Sequence, residues 1–197
     1  MSYHTVWLKH TIGYGLEFMA RKTQQDWFDL ALKLLMQAGA DALTIDNMTT
    51  QLNVTKGSFY HHFGSYDGFK QALLSYFEDA GTFTIVQRIE TMDTSPAERL
   101  KALIAITLEH PSSIEVTIRT WAQRDPDVYA YQMRVDQRRI TFVTNIWLEM
   151  IDDPAEARRR AEHLYTILVG GEHIIPPIEG KEKQQLYAIY LRLYGIT

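Results

Sequence analysis

Between Thr44 and His61 the chain concentrates short polar groups: hydroxyls at Thr44, Thr55, Ser58 and Tyr60, an ammonium at Lys56, an imidazole at His61, and no side chain at Gly57. Nothing in this set is arranged to make or break a bond. Hydroxyls, the free N–H groups of a helix start and a lysine can all meet phosphate oxygens or base edges. Gly57 removes the side chain where backbone would come closest to such a partner. Groupings that would do catalysis are absent: there is no cysteine, no HExxH, no nucleophile elbow and no phosphate-cradling glycine loop. Three Glu-His neighbours, Glu109-His110, Glu162-His163 and Glu172-His173, do not face each other on a helix and read as partly exposed or core-edge residues. His61 and His62 would point about 100° apart on a helix, with no second ligand pair at helical spacing, so no metal is expected. No cofactor is expected either.

Two short amphipathic patterns must position these groups. In the first, Ile45, Met48 and Leu52 share one helical face, Thr44 can cap the start and Leu43 can staple it from outside. Asn53, which tolerates the left-handed conformation, marks the sharp bend, and Val54 plugs the gap between the helices. In the second pattern Thr55 can cap a helix whose Phe59 and Phe63 face inward, while Lys56, Gly57, Ser58, His61 and His62 face out. The shape is a helix-turn-helix.

The same stretch resembles the DNA-binding region of the TetR family of transcriptional repressors. It matches that family's pattern at Thr44, Ile45, Val54, Thr55, Gly57, Ser58, Phe59, Tyr60, His62 and Phe63. It departs at Met48 and Thr49, where the family usually has Ile-Ala, and at Asn53, where it usually has Gly. Thr49 in place of a small alanine is expected to loosen the contact between the two helices. The resemblance implies an all-α protein with an N-terminal helix-turn-helix DNA-binding head and a C-terminal helical body for ligand binding and dimerisation. Arg21 and Lys22 resemble the family's basic arm, and Lys70 is expected to touch phosphate beside Thr44, Thr55, Lys56, Gly57, Ser58, Tyr60 and His61.

The composition, 46% hydrophobic and 22% charged over 197 residues, is that of a soluble globular protein with a sizeable core. The net charge of −4 runs against a nucleic-acid binder. Its position softens the objection: residues 21–70 hold five basic and five acidic residues, and residues 71–197 hold 14 basic against 18 acidic. Weak non-specific DNA binding is the expected consequence. No run of 18 apolar residues suggests a membrane span. Residues 1–20 lack the features of an export signal, so a cytoplasmic location is expected.

The chain divides into a tail or extension at 1–20, a head at 21–66 and a body at 67–197. In the head, Thr23 can cap a helix ending at Gly39. A long helix from Asp67 to about Ile89 then links head to body. Ser95-Pro96, Asp125-Pro126 and Asp153-Pro154 each open a further helix. The helix after Pro154 is expected to stop at Gly170-Gly171, and a last one to run from about Lys181 to Tyr194. Ile118 to Pro126 also resembles a recurring segment of TetR-type regulatory domains. The last two helices are apolar over more than one face. A homodimer, as in the family, would use that surplus through Leu164, Leu168, Tyr187, Tyr190, Leu191 and Tyr194.

In TetR-like proteins the body helices enclose an effector cavity. Phe77, Phe83, Trp121, Tyr129, Phe142, Trp147, Tyr165 and His173 lie on the corresponding helices and are expected to line a pocket for a small apolar or aromatic molecule. Three functions compete: a homodimeric repressor of operator DNA released by such a ligand, a DNA-binding protein controlled by a protein partner or acting without a ligand, and an enzyme on a helical scaffold.

Overall fold

The structure is a computed structural model that describes residues 22–109 and 113–196. Ten α-helices make up these residues, with no strand among them. In the head, α1 (Gln24–Ala38), α2 (Ile45–Leu52) and α3 (Lys56–Phe63) surround Trp27 and Phe59, both fully buried and in edge contact at 5.5 Å. Thr23 caps α1 in a reciprocal box with Asp26, and Gly39 ends the helix at φ 75°.

Helix α4 (Tyr66–Glu78) runs through one wide π turn (Asp79–Phe83) into α5 (Thr84–Glu90). The Thr84 N–H donates to Asp79 O, five residues back. The expected long connecting helix is therefore present, with a widened joint that its apolar spacing does not announce. The body follows as α6 (Pro96–Glu109), α7 (Ser113–Ala122), α8 (Pro126–Leu148), α9 (Pro154–His173) and α10 (Gly180–Leu193). Asp125 and Asp153 cap α8 and α9, each accepting two backbone N–H bonds ahead of a first-turn proline.

Helix α9 does not stop at Gly170-Gly171 but continues to His173. Two glycines cost a helix about 1 kcal/mol each, and tertiary contact offsets this: Gly171 is buried and its carbonyl accepts from Ile178 N at 2.8 Å. Packing also joins what the sequence separates at residue 66. One apolar cluster holds Trp27, Phe59 and Phe69 together with Ile118, Trp121, Val128, Tyr131 and Val135 of the body helices. A second cluster, centred on Trp147, Tyr187 and Tyr190, holds α6, α8, α9 and α10 together.

Candidate nucleic-acid interface and effector cavity

The helix-turn-helix forms for the local reasons legible in its sequence. Thr44 Oγ1 accepts from Asn47 N at 3.1 Å, and Asn53 takes φ 54°, ψ 50° at the turn. Met48 is fully buried, and Leu43 nearly so, beneath the helix pair. Thr49, expected to loosen the helix contact, is buried, and its hydroxyl donates to Ile45 O at 2.7 Å, so the extra polar atom is satisfied within its own helix. Thr55 has the extended backbone of a cap, but its side chain makes no capping bond.

Thr44, Thr55, Lys56, Gly57, Tyr60 and His61 are exposed, and Ser58 is half-buried. Thr44, Asp46, Lys56 and Tyr60 border one groove where the head meets the body. Tyr60 is 50% exposed and edge-on to Phe59, so its ring is braced at the root and free at the hydroxyl. Lys56 Nζ lies 2.5 Å from Asp46, and that hydrogen bond holds the exposed ammonium above its ordinary range. A phosphate must therefore compete with Asp46 for this lysine. Arg21 lies outside the described residues. Lys22, half-buried, is fixed by its backbone: Lys22 O is 2.9 Å from His62 Nε2, while His62 O accepts from Gln24 at 3.2 Å. His62 thus ties the start of α1 to the end of α3.

Lys70 is not at the DNA face. It is 5% exposed, with Nζ 2.8 Å from Asp127 and 3.0 Å from Asp125. Burial alone would lower its pKa, but bonds to the two aspartates outweigh this and raise it. Its charge is spent on joining α4 to the first turn of α8. The helical spacing that brings it near the head turns it toward the body.

A cavity of about 180 Å³ lies in the body, with walls from α4, the π turn and α5 on one side and from α6 to α10 on the others. Phe77, Phe142 and Tyr165 line it as expected. Five other expected residues do not. Phe83 is 42% exposed beneath Arg138, and Tyr129 is 61% exposed. Trp121 is buried in the core shared by head and body. Trp147 donates to Tyr190 OH at 2.9 Å in the second core. His173 is exposed and lies 2.8 Å from Val169 O. A helix gives an aromatic one outward direction only, and these five point elsewhere.

Composition and aromatic spacing do not anticipate the polar groups at the cavity. Glu115, Arg119 and Arg139 line it, and Asp136 stands behind them. Arg119 donates to both oxygens of Asp136 at 2.8 Å, and Arg139 to Glu115 at 2.9 Å and Thr82 at 3.0 Å. Tyr165 OH accepts from Arg119 at 2.7 Å and donates to Asp136 at 2.8 Å; burial pushes its phenol up to about 12. The sequence signal for this cluster is a polar interruption of an apolar stripe: Gln132 and Arg139 share a helical face with Val128, Val135 and Val143. Among the described residues, no group of three or more His, Asp or Glu is placed to hold a metal.

The residues expected at a subunit interface fall mostly inside the protomer. Leu164, Tyr187 and Tyr190 are buried, Leu168 lines the cavity, and Leu191 and Tyr194 pack on the second core. The large apolar side chains that α10 leaves exposed are Ile189 (52%) and Leu193 (65%).

Residues 28–76 match the model of the bacterial regulatory proteins of the tetR family. The HTH-type transcriptional regulator BetI of Serratia proteamaculans is 25% identical over 183 residues, 88% of this chain and 90% of that protein. YuxN of Bacillus subtilis, also an HTH-type transcriptional regulator, is 30% identical over 95 residues, 46% of this chain but about a third (32%) of that relative's length. Among solved structures, a TetR transcription regulator from Haloarcula marismortui shares the fold at TM-score 0.70 and 18% identity, covering 85% of this chain and 95% of that one. E. coli NemR in its reduced form does so at TM-score 0.68 and 17% identity, covering 89% and 97%. Residues 28–76 thus carry the helix-turn-helix head of the tetR family of bacterial regulatory proteins, and the fold of the chain is shared over most of its length with solved TetR regulators.

Proposed function

We propose that the protein is a repressor that binds operator DNA as a homodimer in the cytoplasm and is released by a small organic ligand held in the body cavity. One observation carries the ligand: the cavity wall is formed by Phe77, Gly81, Thr82, Ile85 and Val86 of the same continuous helical segment whose first turn follows α3. Matter entering the cavity presses on the element that carries the head. Because Lys70 pins the start of α4 to the body, movement at the π turn reaches the head as a change of its angle. In a dimer that angle sets the spacing of the two recognition helices, which must match half-sites about 34 Å apart.

Dimerisation is supported by the outer faces of α9 and α10. Thr166 on α9 and Ile189 and Leu193 on α10 are exposed, and Gly170 has open space beside it. A two-fold pairing of these helices would cover them.

The test begins with selection of bound duplexes from a random library, which supplies the operator. Calorimetric titration of a compound that releases that operator is then run with and without saturating DNA. Coupling is reciprocal, so a compound that weakens DNA binding tenfold must itself bind tenfold more weakly to the DNA complex, a difference of about 1.4 kcal/mol. Equal affinities in the two titrations reject ligand release and favour control by a protein partner.

A further inference from the structure

Two guanidiniums beside an apolar cavity suggest a carboxylate ligand, but the charges already present argue against one. Arg119 faces Asp136 and Arg139 faces Glu115. Deeper on α9, Glu172 is paired with Lys183 at 3.3 Å, and both side chains are more than nine-tenths buried. Three cations meet three carboxylates, so the cluster is neutral. An added anion or cation would leave one uncompensated charge in a buried setting.

Two charged side chains of the lining each keep a buried polar atom without a partner, the Arg119 Nε–H, a donor, and one oxygen of Glu172. The carboxylate oxygen is the one that calls for a donor from the ligand. Glu172 lines the cavity, its Oε1 accepts from Lys183, and its Oε2 is buried with no hydrogen-bond partner. An acceptor left in that state is costly, and a ligand that satisfies it regains the difference on binding. Burial pushes the Glu172 carboxyl above its ordinary range against the pull of Lys183, so a donated hydrogen bond would also help hold its charge. Size bounds the rest. A dry apolar cavity of about 150 Å³ accommodates benzene, and this one of about 180 Å³ has room for one ring with a small substituent.

Resting on the reading of this cavity as the effector site, we propose that its ligand is a neutral, single-ring-sized alcohol, a simple alkylphenol in class, whose hydroxyl donates to Glu172 Oε2 while its ring fills the apolar end between Phe77 and Phe142.

Three probes that share one ethylphenyl group and differ in the para substituent separate the possibilities: 4-ethylphenol, ethylbenzene and 4-ethylbenzoate, each titrated calorimetrically into the full-length protein. The phenol is expected to bind at least about tenfold more tightly than either of the others, the scale of one hydrogen bond to a charged acceptor. In the double variant Glu172→Leu/Lys183→Met, which removes both buried charges together, that preference should disappear while ethylbenzene still binds. Ethylbenzene or 4-ethylbenzoate binding the wild type as tightly as the phenol overturns the proposal, as does no binding by any of the three; the wild-type comparison decides the matter even where the variant fails to fold. The effector reading is scored separately on the selected operator. Binding of 4-ethylphenol with no loss of operator affinity upholds the ligand class and removes the switch. Release of DNA by 4-ethylbenzoate alone upholds the switch and overturns the class.

Discussion

Replacing Gly57 by alanine separates what the recognition helix needs for folding from what it needs for DNA. Gly57 is the second residue of α3, and a Cβ built there meets Thr55 Oγ1 at 3.5 Å, ordinary van der Waals contact, with no other side chain or neighbouring helix close by. Its φ lies outside the left-handed region. The fold therefore has room for a methyl group, and alanine is the better helix former by about 0.5–1 kcal/mol, with the lower figure apt for a first turn. For a chain of this length that gain raises Tm by about 1–2 °C. DNA binding should move the opposite way, because the methyl group stands on the exposed face where backbone has to approach the duplex. A loss of at least tenfold, about 1.4 kcal/mol, is expected. Thermal unfolding and fluorescence-anisotropy titration of the selected operator read the two effects on one preparation. Wild-type operator affinity in Gly57→Ala refutes the placement of the DNA face. A lowered Tm refutes the claim that the glycine serves the partner and not the fold.

Lys56→Ala should weaken operator binding and reduce the salt slope by about one, whereas Asp46→Asn, which frees Lys56 from its 2.5 Å partner, should tighten binding by up to about fivefold, the scale of an exposed ion pair; unchanged affinity in both variants at several salt concentrations would remove Lys56 from the interface. Gly68 differs from Gly57, since a Cβ there would sit 2.3 Å from Phe63 O, and Gly68→Ala should cost about 2 kcal/mol in urea unfolding; a variant as stable as the wild type would show that the turn between α3 and α4 yields more easily than its geometry implies. Ile189→Glu or Leu193→Glu should give monomers in sedimentation at micromolar concentration and lose operator binding together, and a dimer that survives both changes places the interface elsewhere. Burial alone would raise the Asp136 carboxyl, but hydrogen bonds from Arg119, Gln132 and Tyr165 outweigh it and hold it below the ordinary range. Its stabilisation is therefore present above the unfolded value of about 3.9 and is lost as pH falls through the lower folded value. The stability gap between wild type and Asp136→Asn should narrow on going from about pH 5 to about pH 3, and a constant gap assigns the effect to something other than ionisation.

The elements of this protein are local in origin, and so the sequence by itself determined them. Thr23 with Asp26, Thr44 with Asn47, Asn53 at its left-handed turn, and Asp125 and Asp153 ahead of prolines all act within a few residues, so helix starts and the helix-turn-helix follow from composition and spacing alone. Apolar periodicity likewise marked the inner faces, which is why Trp27, Met48 and Phe59 sit in the core. What lies across each face was decided by the tertiary structure. Spacing put Lys70 near the head, but only the crossing of α4 and α8 delivered Asp125 and Asp127 to it. Aromatic content pointed to a pocket, but the rotation of each helix sent Phe77 and Phe142 inward, left Tyr129 in solvent and packed Trp147 on Tyr190. The cavity's charged groups, Glu115, Arg119, Arg139 and Glu172, come from three helices and mean nothing singly. A charged residue on an inner face is an error or a site depending on its partner, and pairing across 17 to 24 residues, as for Arg119 with Asp136 and Arg139 with Glu115, is set by helix packing, to which a one-dimensional pattern is blind.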